Sequence, residues 1–289
     1  KELFDMDIIK AIASELNVRN NQVEAAVKLI DEGCTIPFIS RYRKEATGAL
    51  NDEQLRNLDE RLKYLRNLED KKAQVIASIA EQGLLTDELK NQIEKADTMV
   101  AVEDLYRPYR PKRRTRATIA KEKGLEPLAN VILLQMTGEP VVKTAEEYVS
   151  EEKDVKTPED AVAGAKDIIA ESISDNADYR TRIRELTFKE GVLTSAAKDA
   201  EAKTVYEMYY NFSEPVAKMA GHRILAVNRG ENEKILTVKI EAPVDKILSY
   251  LEKQIIVRDN RYTTGIIKEA IEDSYERLIA PSIEREIRN

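Results

Sequence analysis

Apolar residues recur along most of this chain at spacings of three and four, the period of helices that bury one face. Between residues 21 and 32, Val23, Ala26, Val27 and Ile30 stand at i, i+3, i+4 and i+7, with Asn20 and Asn21 before them and Gly33 after. This predicts a capped amphipathic helix. Thr35-Ile36-Pro37-Phe38-Ile39 predicts a shorter one, because proline is tolerated in a first turn, and it carries Arg41, Arg43 and Lys44 on its far side. The two pieces, joined by a tight glycine turn, resemble a helix-turn-helix. From Asp52, the residues Leu55, Leu58, Leu62, Leu65 and Leu68, continued by Ile76 and Ile79, keep one stripe up to Gly83 and predict a single long helix. Further helices are expected from Thr86 to about Ala96, from Glu126 to Gln135, from Thr157-Pro158 onward, and from Asn176 to Glu190, several opening on a capping residue and acidic first-turn side chains.

The period changes once. Leu236, Val238 and Ile240 alternate with Thr237, Lys239 and Glu241, as in a strand with one buried face. Pro243 then opens a helix to about Arg258, and Ile267, Ala270, Ile271, Leu278, Ile279, Ile283 and Ile287 predict a closing helix bent or interrupted at Pro281, which removes a backbone donor and collides with the preceding turn. The expected fold class is mainly α, multihelical, with a helix-turn-helix-like module and one small β element near 234–241. No internal repeat of fixed period is present.

Composition narrows the class. At 289 residues the chain suits two or three domains, and 34% charged with 42% hydrophobic residues fits a soluble, ordered, helix-rich protein. We expect three segments: an N-terminal helical domain at 1–105, a basic loop with a helix-turn-helix-like helical module at 106–200, and a helical segment with the small β element at 201–289. Cys34 is the only cysteine, which excludes an internal disulfide and a thiolate-based metal site and suits a reducing cytoplasm. It reads as a buried, inert thiol. His222, the only histidine, reads as a structural residue at the start of a helix. No apolar run approaches the roughly 20 residues that cross a bilayer, so no membrane partner is expected. Lys1-Glu2-Leu3-Phe4-Asp5 does not read as a signal peptide, and the missing initiator Met suggests a piece of a longer protein.

Charge gives the sharpest signal. The net charge is −7, yet Arg107, Arg110, Lys112, Arg113, Arg114 and Arg116 fall within ten residues. Pro108 and Pro111 exclude a regular helix there, so the segment reads as an extended or turning surface loop. Tyr106 and Tyr109 set flat rings among the guanidinium groups, a combination suited to single-stranded RNA or DNA. The competing explanation is neutralisation by the protein's own acidic helices; residues 139–175 alone hold eleven acidic and four basic side chains.

Catalytic chemistry finds no footing. There is no Gly-Lys-Ser/Thr phosphate loop and no Gly-x-Gly-x-x-Gly, and the adjacent pairs Asp52/Glu53 and Glu159/Asp160 point about 100° apart on a helix, as helix-start residues do. No enzyme activity, cofactor or metal site is expected.

Three stretches carry a further meaning: Ile36-Pro37-Phe38-Ile39-Ser40-Arg41-Tyr42-Arg43-Lys44-Glu45-Ala46-Thr47-Gly48, then Glu103 through Ala117, and Arg277-Leu278-Ile279-Ala280-Pro281-Ser282-Ile283-Glu284-Arg285-Glu286-Ile287-Arg288. Their wording and order closely resemble the N-terminal part of the bacterial Tex family, transcription accessory proteins related to a eukaryotic transcription-elongation and histone-chaperone factor. The resemblance covers essentially the whole chain. It implies a helical N-terminal region of a cytoplasmic, non-enzymatic, nucleic-acid-binding protein associated with transcription. In that family a ribonuclease-H-like domain, helix-hairpin-helix elements and an OB-fold follow, and this chain stops about where the first of these should begin. Any binding here then comes from its own surfaces and is expected to be weak. Two readings stand side by side: a nucleic-acid-binding scaffold using the basic loop with Arg41, Arg43 and Lys44 as a second patch, or a purely architectural module that docks RNA polymerase or the ribosome while its arginines are spent on internal ion pairs.

Overall fold

The computed structural model describes residues 2–289, with side chains from Asp5 onward; Lys1 and the side chains of Glu2, Leu3 and Phe4, on which the leader reading partly rests, lie outside the described residues. The chain divides into two units, residues 1–103 and 104–289.

The first unit is helical: α1 (Glu2–Leu16), α2 (Asn20–Asp31), α3 (Ile36–Tyr42), α4 (Lys44–Thr47), α5 (Asp52–Glu81), α6 (Asp87–Lys95) and α7 (Met99–Tyr106), the last ending just past the boundary. Ile12, Val23, Ala26, Ile39, Leu55 and Leu58 close its core. The leucine stripe of α5 behaves as read as far as Leu68, then continues on Lys72, Val75 and Ile79, while Ile76 is half-buried. Steps of four, three and four hold the face better than the step of eight that Ile76 would need. Lys72 keeps its stem buried and donates to the Glu94 carbonyl at 2.8 Å. Caps follow the sequence at Thr35, Asn51 and Thr86, whose side chains accept from Phe38, Gln54 and Leu89 N–H. At α2 the cap is Arg19 instead of Asn20, with the Gln22 carboxamide accepting from the Arg19 N–H at 3.0 Å. Cys34 is only partly buried, beside the core.

The second unit contains α8 (Arg116–Glu122), α9 (Glu126–Leu134), α10 (Val141–Ala145), α11 (Pro158–Ser174), α12 (Ala177–Glu190), α13 (Gly221–Asn232), α14 (Val244–Ile255), α15 (Thr264–Asp273) and α16 (Ala280–Arg288). One core joins α8 to α11, α14 and α15 and reaches α16 through Ile279 and Ile283. A three-stranded antiparallel sheet, β1 (Val192–Ala197), β2 (Asn211–Pro215) and β3 (Leu236–Glu241), has β1 in the middle. The strand at 236–241 is thus present, but two partners accompany it. Because β1 lies before residue 200 and both of its partners after it, the stretches read as 106–200 and 201–289 share a sheet. His222 is exposed in the first turn of α13, so the structural histidine is corrected to a surface one.

At Pro281 the α ladder gives way beforehand. Ser274–Ile279 forms a π segment between α15 and α16, which places Pro281 in a fresh first turn where its missing N–H costs nothing.

Candidate nucleic-acid interface

The basic loop begins as a 3₁₀ turn, Arg107–Tyr109, closed by the Arg110 N–H donating to the Tyr106 carbonyl at 2.9 Å. Beyond Arg110 the backbone is irregular until Thr115, whose hydroxyl accepts from the Thr118 N–H and starts α8. The two prolines and the threonine cap explain this path: neither proline can donate inside a ladder, and Thr115 pins the point where helix resumes.

The six basic side chains do not share one environment. Lys112 is tied inward, its ammonium bonded to Glu171 at 2.9 Å and to Asp175, and its side chain is only 23% exposed. Burial raises the Asp175 carboxyl above the usual range, with the Lys112 hydrogen bond opposing it. Two carboxylates of the acidic stretch, Glu171 on α11 and Asp175 just past its end, thus share Lys112, as the competing explanation of internal neutralisation expects. Arg107 is half-buried, and its Nε finds no hydrogen-bond partner. Arg110 lies over the Tyr106 ring, 5.6 Å from its centroid, so that ring is partly covered; Tyr109 is also half-buried. Arg114 stands 3.6 Å from Glu122, with its side chain 72% exposed, a pairing of little strength in water. Arg113 and Arg116 are exposed and make no ion pair among the described residues. The outward part of the loop is thus Arg113, Arg114 and Arg116, with Arg110 exposed on the Tyr106 ring.

In the first unit, Arg41 and Lys44 are exposed and Arg43 is half-buried, 3.4 Å from Glu45. The backbone that presents them is fixed from behind. The Gln22 carboxamide donates to the carbonyls of Thr47 and Gly48 at 3.2 and 3.0 Å, and Gly48 adopts φ 63°. A Cβ at Gly48 would meet Gln22 Nε2 at 2.6 Å. Backbone handedness and the clamp both require glycine there.

Sequence reasoning missed a buried charge cluster behind the loop. Arg180 on α12 is fully buried, with Nε 3.5 Å from Asp104 and Nη2 3.6 Å from Glu286, and Nη1 donates to the Ser174 carbonyl at 3.1 Å. Arg184, one turn on, forks onto Asp104 at 3.0 and 3.1 Å and donates Nε to Glu286 at 2.8 Å. Asp104 is 2% exposed. Burial, with Arg107 acting in the same sense, pulls the Arg180 pKa below its ordinary value. Burial also works against the charge on Arg184, but its bonds to Asp104 and Glu286 outweigh that and hold its pKa above the ordinary value. The cluster fastens the residues just before the loop to α12 and α16. Only the i,i+4 spacing of Arg180 and Arg184 in the sequence could have hinted at it.

No group of His, Cys, Asp and Glu that could hold a metal ion occurs among the described residues, and no described helix is long and apolar enough to cross a membrane.

Comparison with known proteins adds the following. A family model described as the Tex-like protein N-terminal domain matches residues 6–80, and one described as Tex central region-like matches residues 137–289. The chain is 52% identical over 280 residues to the Bacillus subtilis (strain 168) protein YdcI, across 96% of this chain and 39% of that protein. To the transcriptional accessory protein Tex of Neisseria gonorrhoeae it is 40% identical over 294 residues, across 98% of this chain and 38% of that protein. It is 29% identical over 309 residues to the human S1 RNA-binding domain-containing protein 1, across 30% of that protein. The chain therefore spans about two fifths or less of the length of these relatives.

Proposed function

This chain belongs to the Tex family, and from that premise we propose that it is a non-enzymatic nucleic-acid-binding and scaffolding part of a transcription accessory protein. The observation that carries the reading is the group Arg113, Arg114 and Arg116, which stands exposed on a chain of net charge −7, with neither Arg113 nor Arg116 in a salt bridge among the described residues, although Arg116 feels the charges of Asp167 and Asp273. Arginines held out in this way suit phosphate oxygens, which position a strand without reading its sequence. The helix pair α2 and α3, which resembles a helix-turn-helix, presents Arg41 and Lys44 as a second contact. A relative carrying an RNA-binding domain in its name agrees with a role on nucleic acid.

Titration of labelled single- and double-stranded oligonucleotides at several salt concentrations tests this. Three phosphate contacts on a single strand give a log–log salt slope near −2, at roughly −0.7 per phosphate. Replacing Arg113 and Arg114 by Ala should weaken binding to all sequences alike and flatten the slope by about one unit or more, with little change in thermal stability. A double variant that keeps affinity and slope would remove this loop from the interface.

The architectural reading keeps a specific support of its own in the Lys112 tie to Glu171 and Asp175. In that reading the loop is a strap on α11, and docking to polymerase or ribosome falls to other surfaces. Capture of either assembly by a protein that binds no oligonucleotide would favour it.

A further inference from the structure

We propose that Phe38 and Tyr42 form a base-stacking platform for single-stranded nucleic acid, flanked by Arg41 and Lys44 to meet the phosphates, a site that rests on the nucleic-acid reading above. The helix α3 is sided. Ile39 is fully buried against the core, whereas Pro37, Phe38, Arg41 and Tyr42 face water. Phe38 and Tyr42 are one helical turn apart, so their rings meet, with centroids 5.4 Å apart and planes tilted by 46°. They are nevertheless 42% and 66% exposed, so the contact leaves outer ring faces in water.

Two flat apolar surfaces held in water on a rigid turn call for a cover, and the charge beside them selects it. Arg41 and Lys44 make no ion pair among the described residues, and the only carboxylate in the segment 36–48, Glu45, leans on Arg43. An apolar protein partner would have to strip water from both free cations. A single strand gives each part its match: unpaired bases for the rings, phosphates for the cations. The geometry is also preset. Pro37 and the Thr35 cap start α3, and the Gln22 clamp on Thr47 and Gly48 fixes the turn that carries Lys44, so little order has to be gained on binding.

Fluorescence anisotropy on the full 289-residue chain, with labelled RNA and DNA single strands, decides the matter. The double variant Phe38→Ala/Tyr42→Ala should bind about tenfold more weakly while its salt slope stays as in the parent, because stacking releases no counterions. A strand with the same phosphates but abasic sugars should bind the parent as weakly as the ordinary strand binds that variant. The chain has no tryptophan, so Tyr42→Trp introduces a single indole at the platform. Its emission should be quenched by ordinary strands and not by abasic ones, a readout that remains if the double variant fails to fold. Unchanged affinity of a folded double variant, or an indole indifferent to the bases, overturns the platform; binding that still depends on Arg113 and Arg114 would leave the broader reading intact. Absence of oligonucleotide binding at every salt concentration overturns both.

Discussion

Arg180 and Asp104 show how a charge can belong to the core. Each is almost wholly out of water: Asp104 is held by Arg180 and Arg184, and Arg180 by Asp104 and Glu286, so removing one partner strands the rest. Asp104→Asn should therefore cost about 3–5 kcal/mol in chemical denaturation, against less than about 0.5 kcal/mol for Arg114→Ala on the exposed side of the loop. Lys112 occupies the middle ground. Lys112→Met leaves Glu171 and Asp175 facing each other, and we expect a loss of about 1–3 kcal/mol at pH 7, discounted for partial exposure. The pH dependence has a defined sign. Asp175 already binds its proton more tightly folded than an ordinary Asp does, because of burial, so its contribution to stability falls as pH rises through the interval between the ordinary and the raised pKa. Without the ammonium that interval widens upward. The variant should recover melting temperature on acidification from pH 7 towards pH 5 more than the parent does, and an equal response in both proteins would contradict the assignment.

At the level of elements, α11 depends on a glycine. A Cβ at Gly164 would come 2.3 Å from Leu125 Cδ1 and 3.3 Å from Ala120 Cβ, so the bare backbone lets α11 lie close against α8 and the turn after it. Gly164→Val should destabilise by about 1–3 kcal/mol, and Leu125→Ala placed in the same chain should return part of that, which a double-mutant cycle measures. Most helices were legible because their apolar periods and caps agree, as at Thr157, whose hydroxyl accepts from the Asp160 N–H, and at Asn176, which accepts from the Tyr179 N–H. The strands β1 and β2 were not. An inward position of β1 is filled by Ser195, whose hydroxyl donates to the Tyr209 carbonyl at 2.7 Å, so the alternation of apolar residues is broken at one of the strand's two buried positions. In β2 only Phe212 is a large apolar residue and the strand ends on Pro215, as an edge permits. The candidate interface was legible as a run of charge but not in its division, since the partners of Lys112 lie 59 and 63 residues further along the chain.

For the molecule as a whole, the outward arginines of the loop stand on a chain whose net charge is −7. At short Debye lengths a strand feels only the local arginines, but at roughly 10 mM salt the field reaches about 30 Å and includes the acidic stretch. A log–log plot of affinity against salt should accordingly flatten towards the low end instead of staying straight, which a titration series extended to 10 mM would reveal. The π segment before Pro281 acts on the same large scale. It works as a phase shifter: an i→i+5 turn carries about one residue more than an α turn, and everything after it is rotated by roughly 100°. That offset sets Glu286 towards Arg184 and turns Arg288 towards Asn228, at 2.8 Å, and Glu231. Were these same six residues wound as ordinary α turns, Ile283 and Glu286 would each swing off its mark, whereas deleting one residue between 274 and 279 removes the extra residue and keeps their phase, so this stretch should accept a one-residue deletion far better than a one-residue insertion.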